Sequence, residues 1–231
     1  DPRLAGTEKV ANEHGAAHTE SSLYKTAILL LDSEEYVLAE RFLTHLAESL
    51  DRTQIGQMGQ MLDDLGQPHI QVMLGKRAAQ YGHEVHAPYY ALHPLADTEY
   101  NVPAEVVLAI ARRESEFDPG VISPVGALGL MQVMPATARE VAGWLDIEFS
   151  ESKVLNDATY NAVLGSSYLE RLAERFDGNA VMMAAAYNAG PSRPIQWMDD
   201  RGDPRRGEAM NIIYWIEHIP FTETRNYVMR V

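Results

Sequence analysis

The chain has 231 residues, 46% hydrophobic and 23% charged, a globular composition with room for one large domain or for a catalytic domain and a smaller companion. Lys and Arg number 19 against 33 Asp and Glu, and the formal net charge of -14 opposes nucleic acid or an anionic membrane surface as a partner. With no Cys, disulfides and thiolate chemistry are excluded, and no apolar run approaches the ~20 residues of a membrane-spanning helix.

The opening Asp1-Pro2-Arg3 has no charged-then-apolar leader pattern, which is what a mature or trimmed chain is expected to show. From residue 20 to about 82, apolar residues recur at helical spacing: Leu23, Ala27, Leu30 and Leu31, then Tyr36, Ala39, Phe42, Leu43, Leu46 and Leu50. Ser33 and Thr53 are expected N-caps, Pro68 opens a helix over 68–80, and Gly66 and Gly82 mark helix ends. The pattern predicts paired antiparallel helices without a strict internal period, forming an accessory region over residues 1–97. Between 81 and 101 the periodicity lapses, and His83, His86 and His93 gather there with Pro88 and Pro94. Their spacing fits no paired-histidine metal motif, so solvated linker histidines and no metal site are expected. The domain boundary is placed here, with a second domain over 98–231.

That domain reads as predominantly α, with 146–154 the one place a small sheet is allowed. Asn101 and Pro103 open a helix that Pro119-Gly120 is expected to close. At 100° per residue, Pro103, Val107, Ile110, Ala111 and Glu114 share one stripe, while Glu116 points away as a surface anion. A carboxyl on an apolar stripe is desolvated, its pKa rises, and it becomes suited to general acid work near neutral pH; pairing with an arginine at a helix end is the competing reading. Next comes Ser123-Pro-Val-Gly-Ala-Leu-Gly-Leu-Met-Gln-Val-Met-Pro135, where glycines allow close backbone approach and Gln132 is a polar amide within an apolar run. A buried turn would explain it equally. The helix from Asn179 carries Ala180, Met183, Ala184 and Tyr187 on one stripe and stops at Gly190-Pro191, leaving Tyr187 at its end as a donor to a ligand or to the carboxyl, or as a core tyrosine. Finally, Thr222 is an expected cap and Glu223 suits the positive helix start.

Taken together and in order, RRESEFDP, SPVGALGLMQVMPATA, AAYNAGPSR and IPFTETRNYV resemble the soluble lytic transglycosylase family over about residues 100–231. The helical region before them resembles the α-helical linker of long soluble members. The resemblance implies an all-α, goose-type-lysozyme-like catalytic domain preceded by helices, acting on peptidoglycan glycan strands in the periplasm without metal or cofactor. It implies Glu114 as the single acid and base, Ser123 and Gln132 in the sugar subsites, Met131 and Met134 in an apolar wall, Tyr187 near the carboxyl and Glu223 as a second polar groove residue. Glycosidases usually employ two carboxylates, so a lone Glu suggests an exception to that scheme, and the resemblance implies which one: the muramoyl 6-hydroxyl closes onto its own anomeric carbon. The alternatives are a goose-type-lysozyme-like hydrolase with Asp118 or Glu223 as base, and a silent peptidoglycan-binding module.

Overall fold

The computed structural model of the chain describes residues 17–206 and 211–231; the opening tripeptide lies outside them. Their regular structure is helical, in two units that divide between Pro94 and Leu95. No helix among them is long and apolar enough to cross a membrane.

The first unit contains α1 (Ser22–Asp32), α2 (Tyr36–Ala47), α3 (Arg52–Asp64), α4 (Pro68–Gln80) and the single turn α5 (His86–Tyr89). Leu43, Ile55, Met58, Leu62, Ile70 and Leu74 form its fully buried core, drawn from the helical periodicity of the sequence. Two expected caps lie elsewhere. Ser33 closes α1 instead of opening α2, because Glu34 steps into the left-handed region (φ 60°) and Glu35 takes the cap position. Asp51 rather than Thr53 opens α3: it accepts the Gln54 N–H at 2.9 Å while the Gln54 side chain accepts the Asp51 N–H at 3.0 Å, a reciprocal box that satisfies two end donors. At Gly75 a Cβ would lie 2.4 Å from the Tyr89 nitrogen, so α4 and the α5 backbone touch only because the position has no side chain.

The histidines near the boundary differ from one another. His86 is exposed, whereas His83 and His93 are half-buried, and burial lowers the pKa of His93, so the linker is not uniformly solvated. Among the described residues no group of three or more His, Cys, Asp or Glu is gathered as a metal would need.

The second unit contains α6 (Ala104–Ser115), α7 (Pro135–Trp144), α8 (Glu151–Asn156), α9 (Ala158–Phe176), α10 (Ala180–Ala189), α11 (Ser192–Arg201), α12 (Ile212–Glu217) and α13 (Thr222–Val228). The longest, α9, packs against α6, α7, α8 and α10 and buries Asn161, Leu164, Gly165, Leu169, Leu172 and Phe176. Asp157 caps it, accepting the Tyr160 N–H. Met182 through Ala186 of α10 are all buried, so this helix is apolar all round rather than along one stripe, and its small side chains let α9, α11 and α13 approach. Thr222 is the first residue of α13 and makes no capping bond.

The segment 146–154 holds no strand; it leads into α8, capped by Ser150. The extended pairing lies instead in the loop after α6, as isolated bridges of Leu128 to Ile122 and to Val133. Nor does α6 reach Pro119. It ends at Ser115 because Glu116 (φ 53°) and Phe117 (φ 66°) are both left-handed, a costly pair of steps for bulky residues that buries the Phe117 ring.

Candidate active site

Glu114 is set by the register of α6. Val107, Ile110 and Ala111 are buried, and Glu114 follows at the next position of that stripe, half-buried, one residue before the helix ends. The helix end is pinned by Ser115, a buried hydroxyl that donates to the Leu130 carbonyl at 2.6 Å. The carboxyl's position therefore depends on the glycine-bearing loop as well as on α6.

This loop is held from within and from below. Leu128 and Val133 exchange backbone hydrogen bonds at 3.1 and 3.0 Å, and Ser123 Oγ accepts the Ala127 N–H at 2.9 Å. Gln132, itself left-handed (φ 49°), donates its amide protons to the carbonyls of Val121 (3.0 Å) and Gly129 (2.8 Å), leaving its Oε1 as the side-chain group open to a ligand. From α9, Asn161 is 1% exposed and makes three bonds: it accepts the Met131 N–H at 2.8 Å and donates to Leu128 (2.8 Å) and Val154 (2.7 Å). Gly129 (φ 71°) makes that approach possible, because a Cβ there would stand 2.5 Å from the Val154 oxygen.

Two phenols reach the site. Tyr227 of α13, 2% exposed, donates to Glu114 Oε1 at 2.7 Å. Tyr187, at the end of α10, gives its hydroxyl to the Met131 carbonyl at 2.8 Å. The sequence singled out the second as a candidate donor to the carboxyl and overlooked the first. Glu223 and Tyr227 are four apart in α13, one helical turn, and that spacing was the available signal. Thr224 fastens α13 to α10 by donating to Asn188 Oδ1 at 2.7 Å.

Burial pushes the Glu114 carboxyl up to about 7, against the Tyr227 hydrogen bond and the Arg113 guanidinium, which favour the ionised form; the charge of Glu223 adds to the rise. Burial, reinforced by the charge of Glu114, pushes both phenols well above the ordinary tyrosine value, so each remains a donor. The Arg113 guanidinium lies 5.4 Å from the Tyr227 ring centroid, an attraction of a cation for the π face. With a midpoint near 7, both the acid and the base form of Glu114 are populated at neutral pH.

Of the remaining residues singled out, Ser123 is half-buried, Met134 exposed at the cap of α7, and Glu223 exposed in the first turn of α13, where its charge reaches Glu114. Met131 is placed differently from the apolar wall the resemblance implies. It is fully buried, and its sulfur would lie 2.5 Å from a Cβ at Gly165 on α9, so it props the loop from beneath and faces the site only through its carbonyl. Asp118 accepts the N–H of Gly120 at 2.9 Å.

The Tyr227 bond stabilises the carboxylate, so Tyr227→Phe is expected to raise the Glu114 midpoint by about one pH unit, since hydrogen bonds to charged groups are worth ~1.5–3 kcal/mol. A carboxyl carbon-13 titration reads it directly, and an unmoved midpoint would show that the phenol does not tune the acid.

The profile of the family described as Transglycosylase SLT domain matches residues 94–209. A soluble lytic murein transglycosylase of Escherichia coli (strain K12) is 40% identical over 131 residues, 56% of this chain and 20% of that protein. The chain therefore spans about a fifth of the length of that relative. The crystal structure of the 70 kDa soluble lytic transglycosylase from Escherichia coli superposes with a TM-score of 0.77 at 26% identity, covering 98% of this chain and 37% of that one. An inactive glutamate-to-glutamine mutant of the lytic transglycosylase Slt from Pseudomonas aeruginosa gives 0.72 at 28% identity, covering 99% and 38%.

Proposed function

Because the chain belongs to the transglycosylase SLT domain family, we propose that it cuts peptidoglycan strands at the β-1,4 bond between N-acetylmuramic acid and N-acetylglucosamine, without water, using Glu114 as acid and then as base. The observation that carries this reading is the half-buried Glu114 carboxyl with its midpoint near 7, held by the Tyr227 hydroxyl. A group so poised can give up a proton and take one back within a single turnover. The naming of a solved relative as inactive after one glutamate-to-glutamine change agrees with a mechanism resting on a single glutamate.

In the first step protonated Glu114 delivers its proton to the glycosidic oxygen as the bond to the anomeric carbon breaks. The muramoyl N-acetyl oxygen supports the electron-poor carbon, as in substrate-assisted glycosidases, so no carboxylate nucleophile is needed. In the second step the carboxylate, steadied by Tyr227, takes the proton of the muramoyl 6-hydroxyl, whose oxygen closes onto the anomeric carbon. The product is a 1,6-anhydro-muramoyl end, and Glu114 is reset. Ser123, the Gln132 amide oxygen, Met134, Tyr187 and Glu223 are the groups assigned to holding the strand. Tyr187 acts by fixing the Met131 carbonyl, and Glu223 by keeping the resting acid protonated. Peptidoglycan as substrate places the enzyme in the cell envelope, on its periplasmic side.

A hydrolase built on the same Glu114 would use Glu223 to activate a water, since the charge of Glu223 reaches Glu114 while Asp118 is engaged by the Gly120 N–H. Mass spectrometry of digested, purified peptidoglycan separates the two. Anhydro ends, lighter by one water than reducing ends, are expected throughout. Reducing ends as the main product would replace the cyclisation with hydrolysis, and intact strands would reduce the domain to a binding module.

A further inference from the structure

Arg113 stands one residue before the acid, and neither proton transfer involves it. Consecutive helical residues are turned by about 100°, so Arg113 and Glu114 leave α6 in different directions. One ring nevertheless meets both. Tyr227 gives its hydroxyl to Glu114 Oε1 at 2.7 Å and carries the Arg113 guanidinium over its face, 5.4 Å from the ring centroid.

Three observations set Arg113 apart from an ordinary surface arginine. It is half-buried, its buried Nε has no hydrogen-bond partner, and among the described residues it makes no ion pair. Leaving a guanidinium so placed unpaired is a cost to the fold, in a chain whose 33 Asp and Glu outnumber its 19 Lys and Arg. Next, the charged and titratable groups that act on the Glu114 carboxyl are Arg113 from its own helix, Tyr227 and Glu223 from α13 and Tyr187 from α10, and Arg113 is the one cation among them. Finally, it acts in the same sense on both ends of the hydrogen bond, since its charge favours ionisation of Glu114 and of the Tyr227 phenol alike. A phenol polarised in this way is the stronger donor.

We propose that Arg113 is a positioning residue of the reaction: its guanidinium, seated on the face of Tyr227, holds and polarises the phenol so that the hydroxyl tightens on Glu114 as the carboxylate forms. The proposal rests on the reading of Glu114 as acid and base. While Glu114 carries its proton, the Tyr227 bond joins two neutral groups. Once that proton has left for the glycosidic oxygen, the bond becomes charge-assisted and the cation strengthens it through the ring. Arg113 therefore stabilises the state between the two proton transfers more than the state before them, which is the difference that lowers a barrier. A guanidinium suits the place, being flat, permanently charged and weakly hydrated.

A charge acting straight through space on the carboxyl would shift its titration in the same direction, so the test separates the two routes. The carbon-13 titration of the Glu114 carboxyl and the pH profile of kcat/KM on peptidoglycan strands are measured for the full chain, Arg113→Met, Tyr227→Phe and the double variant. Met keeps the length of the side chain and drops its charge. Arg113→Met is expected to raise the midpoint by about half a unit to one unit and to carry the alkaline limb of kcat/KM upward with it. It should lower kcat about threefold, because a weaker acid gives up its proton less readily. In Tyr227→Phe the same substitution is expected to move the midpoint less than about half as far, the hydroxyl that transmits the effect being gone. Equal shifts in the two backgrounds overturn the proposal in favour of direct charge, and a lowered kcat with an unmoved midpoint overturns it in favour of packing alone. Arg113→Lys, which returns the cation, is expected to restore the larger part of the shift, and no restoration overturns it too. Anhydro ends formed with a midpoint indifferent to Arg113 would leave the catalytic reading standing alone. The expected set of midpoints in a chain that cuts no strand would keep the linkage from Arg113 to the carboxyl and remove the catalytic reading.

Discussion

Glu114→Gln is expected to lower turnover of peptidoglycan by at least about a thousandfold, because an amide can neither deliver the proton to the leaving oxygen nor accept one from the 6-hydroxyl, and acid–base catalysis alone supplies ~10²–10⁴. The fold should survive. Gln is isosteric with Glu, its Oε1 can still accept the Tyr227 hydroxyl, and Ser115 continues to tie the helix end to Leu130. Strand digestion followed by chromatography of the products reads the loss. Turnover at the unaltered rate would take Glu114 out of the chemistry.

The same substitution has a second consequence, of opposite sign. The folded midpoint of Glu114 is about 7 against 4.5 for an unperturbed carboxyl, so between those values the folded state binds more proton than the unfolded one. The contribution of this group to stability is fully present below 4.5 and is lost as pH rises through about 7. The shift corresponds to about 3 kcal/mol, and residual solvent access trims it to about 2. Glu114→Gln has no such dependence. Its melting temperature should match that of the unaltered chain near about pH 4 and exceed it by several degrees above about pH 8. Activity follows the same group, with kcat/KM declining above about 7 as the acid form is lost. A stability gap that does not widen with pH would mean that the carboxyl is ordinarily solvated.

Glu114 was legible because its cause is local: a helix of fixed period carries Val107, Ile110 and Ala111 into the core and brings a carboxyl to the next position of that stripe. The helical character of both units followed from the same periodicity. What escaped depends on contacts between distant segments. Tyr227 stands 113 residues from Glu114 and Asn161 30 residues from Met131; the one-turn spacing from Glu223 was the only local hint of the first pair, and the second had none. Met131 was misplaced for the same reason, since whether a methionine lines a groove or fills a core is decided by Gly165 on another helix. The early end of α6 escaped because Glu116 and Phe117 adopt left-handed angles that neither side chain favours, and only the burial of Phe117 and the loop it launches account for them. Ser33, Thr53 and Thr222 were misjudged as caps because suitability for the role is common while occupancy is decided by the neighbouring turn.

The largest structural effect is expected at Asn161, which touches no substrate. Its side chain is the one polar strut from α9 that satisfies the backbone of Leu128, Met131 and Val154 together, in a place where Gly129 leaves no side chain between them. Asn161→Ala takes their side-chain partner from the Met131 N–H and the Val154 carbonyl in a dry interior, at about 1–3 kcal/mol each before relaxation or water entry, while the Leu128 carbonyl keeps the Val133 N–H. A net loss of about 3–5 kcal/mol and a melting temperature lower by about 10 °C are expected for a unit of this size. Asn161→Asp should restore little of it, because a carboxylate can accept from Met131 but turns both carbonyl contacts repulsive. The effect extends to the chemistry. Met131 is the residue whose carbonyl holds the Tyr187 hydroxyl, and Leu130 is the one whose carbonyl holds Ser115 beside Glu114. A loosened loop therefore misplaces the acid, and kcat should fall more than tenfold even when assayed well below the variant's melting temperature. Full kcat at low temperature with a lowered melting temperature would confine Asn161 to stability. A loss of stability under about 1 kcal/mol would mean that water replaces the amide without cost.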